Sequence, residues 1–214
     1  KEMKKAINKF KEENKETFET LFFEWSKYLS IAYGSTVENE DFFIKHTYLS
    51  MLSKLMVYSF LYKGKIPVED EEILDILNGK VFERSQIKNF FEEDFFSWIF
   101  RDPVKEIGIK IAKGILDVLA KYDLTKLNED ILKGLYENLL DPEERHDLGE
   151  VYTPDWLVEY ILRDLLKENP EASVLDPACG SGTFLFIAIK LKKEFLKDKM
   201  NEAELLYHIL ENVK

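Results

Sequence analysis

Val174-Leu175-Asp176-Pro177-Ala178-Cys179-Gly180-Ser181-Gly182-Thr183-Phe184-Leu185 decides how this 214-residue chain is read. A short apolar run meets an acidic residue, a tight glycine turn and then a helix-forming segment. Such a strand–turn–helix junction brings backbone N–H groups and a helix N-terminus up to a bound polar or anionic group. At positions 180 and 182 a Cβ would block close backbone approach or demand a costly positive φ. Two nucleotide loops are excluded. No Lys follows Gly182, so the phosphate-gripping G-x-x-x-x-G-K-[ST] pattern is absent. The dinucleotide pattern G-x-G-x-x-G needs glycine three positions past Gly182, where Leu185 stands.

A second string, Gly149-Glu150-Val151-Tyr152-Thr153-Pro154, lies a short distance upstream. Thr153-Pro154-Asp155 reads as a helix start, with Thr as N-cap, Pro as first helical residue and Asp at the positive end of the dipole. In order and spacing the two strings resemble the cofactor-binding segments of N6-adenine DNA methyltransferases, particularly those of type I and type IIG restriction–modification systems. The resemblance implies an S-adenosylmethionine site. In it Asp176 faces the cofactor's methionine amino group, and Pro177, Ala178, Cys179, Gly180, Ser181, Gly182 and Thr183 line its path. Tyr152, Thr153 and Pro154 approach from the other side. Read without the resemblance, Asp176 is a carboxylate capping the following turn and Cys179 a small buried residue, not a nucleophile.

Composition narrows the class. Hydrophobic residues make up 45% and charged residues 33%, the balance of a globular rather than a disordered chain. No apolar run approaches the roughly 20 residues of a membrane helix, and the charged start Lys1-Glu2-Met3-Lys4-Lys5 is not a secretory signal. One cysteine excludes an internal disulfide and fits a cytoplasmic location. Three scattered histidines and that cysteine offer no zinc site. The net charge of −11 makes a poor surface for DNA phosphates. The expectation is that the DNA-gripping surface lies elsewhere in a longer protein, of which this chain, beginning at Lys, is an excised piece.

Helical periodicity runs through the first part. Phe18, Leu21, Phe22, Trp25, Tyr28 and Leu29 form one stripe, closed by a break at Gly34-Ser35. Tyr48, Leu52, Leu55, Ser59 and Tyr62 form another, ended by Lys63-Gly64-Lys65-Ile66-Pro67. Shorter helices follow near 73–77 and 90–100, then a turn at Asp102-Pro103. Two more stripes are Ile107, Ile111, Ile115, Leu119 and Leu127, Ile131, Leu135, Leu139. The aromatic cluster Phe90, Phe91, Phe95, Phe96, Trp98 and Phe100 is flanked by Glu92, Glu93 and Asp94, which would repel a phosphate backbone. Core packing is therefore expected there, and at the Phe22-Phe23 and Phe42-Phe43 pairs, rather than base stacking. His46 and His208 fall within helical patterns, and His146 within a polar turn.

The expected fold class is mainly α. A helical N-terminal domain (1–140) and a polar linker (141–149) precede the truncated start of a Rossmann-like α/β methyltransferase domain (150–214). That start holds one buried strand, 173–176, lacking a partner for its backbone, and flanking helices at about 157–165, 183–197 and 201–211. Catalytic residues are expected to be absent. The family's Asn/Asp-Pro-Pro-aromatic segment, which clamps the target amine, has no counterpart, since no consecutive prolines occur; Asn169-Pro170-Glu171 is the nearest approach. The implied function is methyl transfer from S-adenosylmethionine to adenine N6 in double-stranded DNA, alongside a specificity or restriction subunit or domain, by a protein of which this segment alone is inactive. Two alternatives stand beside it: a methyltransferase acting on another amide or amine, such as a protein glutamine, and a non-catalytic helical interaction module.

Overall fold

The computed structural model describes residues 1–34, 36–67, 69–83, 95–124, 133–134, 138–139 and 153–214. The chain forms two compact units, Lys1–Leu127 and Asn128–Lys214. The expected linker 141–149, Tyr152, His146, Phe90, Phe91 and the stripe residues Leu127, Ile131 and Leu135 lie outside the described residues.

In the first unit all the regular structure among the described residues is helical. It runs through α1 (Glu2–Glu13), α2 (Lys15–Tyr33), α3 (Glu40–Leu61), α4 (Asp70–Leu77), α5 (Lys80–Glu83), a 3₁₀ turn (Ser97–Phe100) and α6 (Lys105–Leu119). Helix α2 stops at Gly34, where the periodicity breaks. Helix α3 begins at Asn39, whose side chain accepts a hydrogen bond from the Phe42 N–H at 3.0 Å. Aromatic rings fill the core. Trp25 and Phe43 lie 5.1 Å apart edge to face, and Phe10 sits 5.5 Å from the fully buried Trp98. The Trp98 indole N–H donates to the buried Thr47 hydroxyl at 3.1 Å, so its one polar atom is satisfied.

Packing is thus the use of Phe42, Phe43, Phe96 and Trp98, as expected from their acidic neighbours. The expectation fails for Phe23 and Tyr28, which are 66% and 65% exposed. Helix α2 is apolar on two sides and buries the one carrying Phe18, Trp25 and Ser26. In α6 the buried face is Gly108, Ile109, Ala112, Ile115, Leu116 and Leu119, so the i, i+4 isoleucine row was read one residue off centre. Gly108 accounts for the shift. A Cβ there would collide with the Ile99 carbonyl oxygen, so only glycine lets the 3₁₀ turn lie against α6.

The second unit contains α7 (Asp155–Glu168), α8 (Thr183–Leu196) and α9 (Glu202–Asn212); α8 and α9 lie within one residue of the expected spans, and α7 runs two residues earlier and three later. Helices α7 and α8 share a core of Val158, Leu162, Leu166, Ile187, Ala188 and Leu191, against which Ala172, Val174 and Val213 also pack. Arg163 bridges the two helices, its guanidinium 2.9 Å from Glu194 and 2.8 Å from Glu159. Leu196, Leu205 and Ile209 join α8 to α9, and α9 opens with a reciprocal capping box between Asn201 and Glu204. Leu165, expected on the buried face of α7, is exposed together with Trp156 and Tyr160. Among the described residues no helix is long and apolar enough to cross a membrane.

His46 ties the stability of the first unit to pH. Its ring stands between Trp25, Phe42 and Phe96, and burial pushes its pKa down from 6.5 to about 4. Below pH 6.5 the unfolded chain takes up a proton that the folded chain refuses, so stability falls between pH 6.5 and about 4. The expected loss is about 3 kcal/mol, at roughly 1.4 kcal/mol per pH unit. Urea unfolding of the wild type and His46→Leu across this range checks it, since the variant should lack that slope.

Candidate functional site

Residues 174–176 are not alone. The Val174 N–H donates to the Asn212 carbonyl (2.8 Å), the Lys214 N–H to the Val174 carbonyl (3.0 Å) and the Asp176 N–H to the Lys214 carbonyl (2.9 Å). These bonds make one parallel bridge between Val174 and Val213, the one pairing among the described residues. The expectation of a buried strand without a partner is corrected on both counts. The backbone has found the chain's last residues, and Leu175 is 73% exposed because only one side of the ribbon meets the α7–α8 core.

The bridge delivers Asp176 to the turn. Its Oδ1 accepts from the Ala178 N–H at 3.1 Å, so the carboxylate caps the turn that follows, and its other oxygen has no partner among the described residues. The Gly182 N–H donates to the Cys179 carbonyl at 2.8 Å and closes a second turn. Both glycines are left-handed, with φ of 54° at Gly180 and 90° at Gly182. A Cβ on Gly182 would meet nothing within 4 Å. The backbone conformation, not crowding by the protein, therefore selects glycine here, and the space over Gly182 is open to a ligand.

Gly182 is also the N-cap of α8. No side chain caps this end and no acidic residue stands in the first turn, so the positive end of the helix faces outward uncompensated by its own residues. Pro177, Ala178, Cys179 and Gly180 are exposed, whereas Thr183 is buried with its hydroxyl 3.3 Å from that of Ser181. Cys179, expected to be small and buried, is an exposed free thiol. Asp176 to Thr183 thus form one continuous polar cradle.

Thr153 and Pro154 stand at the start of α7. Pro154 is the N-cap and Asp155 the first helical residue, one position later than the pattern Thr-Pro-Asp suggested, and the Thr153 side chain makes no capping bond. The segment is held instead by Lys133, whose Nζ donates to the Thr153 carbonyl at 3.1 Å and to Asp155 Oδ1 at 2.6 Å. No local pattern links Lys133 to a position 20 residues away.

Lys192 was equally hidden. On α8 it occupies a core position with 0% exposure, and its Nζ donates to the Pro170 carbonyl (2.9 Å) and the Ala172 carbonyl (2.6 Å). His208 Nε2 lies 3.3 Å away on α9. Burial lowers the Lys192 pKa against the opposing pull of Glu171. Asn212 continues the polar chain, donating to the His208 carbonyl at 2.9 Å and accepting from the Ser173 hydroxyl at 2.7 Å. Among the described residues no group of His, Cys, Asp or Glu could hold a metal ion.

Residues 127–212 match the family described as N-6 DNA Methylase. The chain is 32% identical over 94 residues to the type I restriction enzyme MjaVII methylase subunit of Methanocaldococcus jannaschii, covering 42% of this chain and 16% of that protein. Identity to the MjaVIII methylase subunit of the same organism is 33% over 78 residues, covering 35% and 13%. To the type II methyltransferase M.HincII of Haemophilus influenzae it is 30% over 69 residues, covering 32% and 14%. The matches therefore span about a sixth or less of each relative's length. No solved structure matches the chain.

The left-handed turn sets a measurable cost. Gly182→Ala, with free space for its methyl group, should destabilise the second unit by about 1–2 kcal/mol through φ alone. Urea unfolding of the variant against the wild type measures it.

Proposed function

We propose that this chain, whose residues 127–212 match the N-6 DNA methylase family, supplies the S-adenosylmethionine loop of an adenine-specific DNA methyltransferase from a restriction–modification system. The observation that carries the reading is the cradle from Asp176 to Thr183, with two left-handed glycines, open space over Gly182 and a helix N-terminus that no side chain caps. That geometry suits a ligand carrying both an amino and a carboxylate group, as the methionine end of the cofactor does. Asp176 uses one carboxylate oxygen to hold the turn and keeps the other for the cofactor's ammonium. Backbone from Pro177 to Gly182, exposed as far as Gly180, and the first amides of α8 line the carboxylate side. The resemblance assigns the other side of the cofactor to Thr153 and Pro154 at the start of α7, and to Tyr152, which lies outside the described residues.

When bound, S-adenosylmethionine provides an electrophilic methyl group for the adenine amine. The parallel bridge between Val174 and Val213, with α8 and α9 between its two sides, supports reading this segment as the start of a Rossmann-like sheet. What these residues do is bind and orient. The amine clamp, an Asn or Asp before two prolines and an aromatic, does not occur among the 214 residues. Positioning of that kind is worth about 7–11 kcal/mol of a barrier, so transfer needs residues from beyond this segment.

Charge fits the same division of labour. Residues 128–214 carry 19 acidic and 10 basic side chains, against 22 and 20 in residues 1–127. Double-stranded DNA is accordingly gripped elsewhere, by a specificity subunit or domain or by other parts of a longer cytoplasmic enzyme. The three relatives are named for restriction enzymes or their type II counterparts, which favours DNA over a protein amide as the substrate.

Cys179 offers a direct test, because it is an exposed thiol within the cradle. S-Adenosylmethionine at ten times its dissociation constant should slow alkylation of Cys179 by about tenfold, and Gly182→Val should remove that protection while the chain stays folded. An alkylation rate indifferent to the cofactor would refute the site. In a tritiated-methyl assay on adenine-containing duplex DNA, the 214-residue chain should show no transfer, whereas a version extended to include the amine clamp should.

A further inference from the structure

The lead-in to the cradle is fastened from below. Pro170 and Ala172 precede the bridge residues, and both of their carbonyls accept from one buried ammonium, that of Lys192, nine residues into α8 from Thr183. The same nitrogen reaches His208, and through Asn212 the polar chain returns to Ser173. An unbranched apolar side chain such as methionine would fill this core position without desolvating a cation. What methionine cannot do is hold two carbonyls of a neighbouring loop. Stability alone therefore does not account for a lysine here.

We propose that Lys192 is a positioning residue for the cofactor cradle, fixing residues 170–174 against α8 and α9 so that Asp176 and the Gly180–Gly182 turn are presented at the mouth of α8. The proposal rests on the cofactor reading given above. Asp176 follows the clamped Ala172 by four residues, and the backbone in between is also bonded to Asn212 and Lys214 through Val174. With Ala172 and Val174 both held, the carboxylate has one address. Without Lys192, only the three bridge bonds define it, and a single parallel bridge is too short to set register by itself.

Amide hydrogen exchange on the 214-residue chain tests this directly. In Lys192→Met, the amides of Val174, Asp176 and Lys214 should exchange at least ~10-fold faster than in the wild type, with amides in the middle of α8 unchanged. Equal protection of the bridge amides in variant and wild type would overturn the proposal. So would a uniform loss that includes α8, because that is general destabilisation. Should Lys192→Met fail to fold, Lys192→Gln, which keeps a donor but falls short of both carbonyls, takes its place. Isothermal titration with S-adenosylmethionine adds the functional arm. Weaker binding by the variant at an unchanged melting temperature supports positioning, and unchanged affinity opposes it. Absence of binding by the wild type would count against the cofactor reading alone, with the exchange comparison still deciding the role of Lys192.

Discussion

Three backbone hydrogen bonds join residues 174–176 to the last three residues of the chain, and the second unit is organised around them. They bring the end of α9 beside the segment that leads into the glycine turn. Val174 and Val213, facing each other across the bridge, both reach the apolar core that α7 and α8 build. The turn then starts from a fixed point, and Asp176 can spend one oxygen on the Ala178 amide. In a parallel pair such bonds require a long crossover. Here it consists of α8, the Asn201 capping box and α9, so local helix signals and a non-local backbone pairing support each other.

Much of this was legible in the residues. Helices α8 and α9 lie within one residue of their expected spans and α7 within three, because apolar periodicity and turn residues act locally. The glycine turn was legible for a related reason: left-handed φ leaves few residues to choose from. Burial was read less well. Phe23, Tyr28 and Leu165 lie on apolar faces that periodicity cannot rank, since a helix that is apolar on two sides buries whichever side its neighbours reach. Cys179 was misjudged because residue type predicts burial only on average, and a turn that bulges outward overrides it.

What stayed hidden was every tie between residues distant in sequence. Lys133 bonded to Thr153 and Asp155, Lys192 bonded to Pro170 and Ala172, and the partner of Val174 are all pairings set by packing. A lysine within a helical stripe reads as a solvated residue, since lysine is seldom fully buried without partners. Only the loop that folds over α8 reveals two carbonyls waiting at the right distance. The glycine turn was therefore readable, whereas the ties that hold it in place were not.

The bridge has a second edge. In a parallel pairing, alternate residues turn their backbone groups to opposite sides, so Ser173 and Leu175 direct theirs away from Val213. Among the described residues this edge makes no backbone hydrogen bond, and Leu175 stands exposed beside it, so another extended segment could add there. Surplus negative charge on residues 128–214 opposes the approach of a second copy by repulsion. That repulsion is long-ranged and screened by salt, while the edge itself is short-ranged and indifferent to it. Ionic strength therefore weakens the charge repulsion while leaving the backbone groups of that edge as they are.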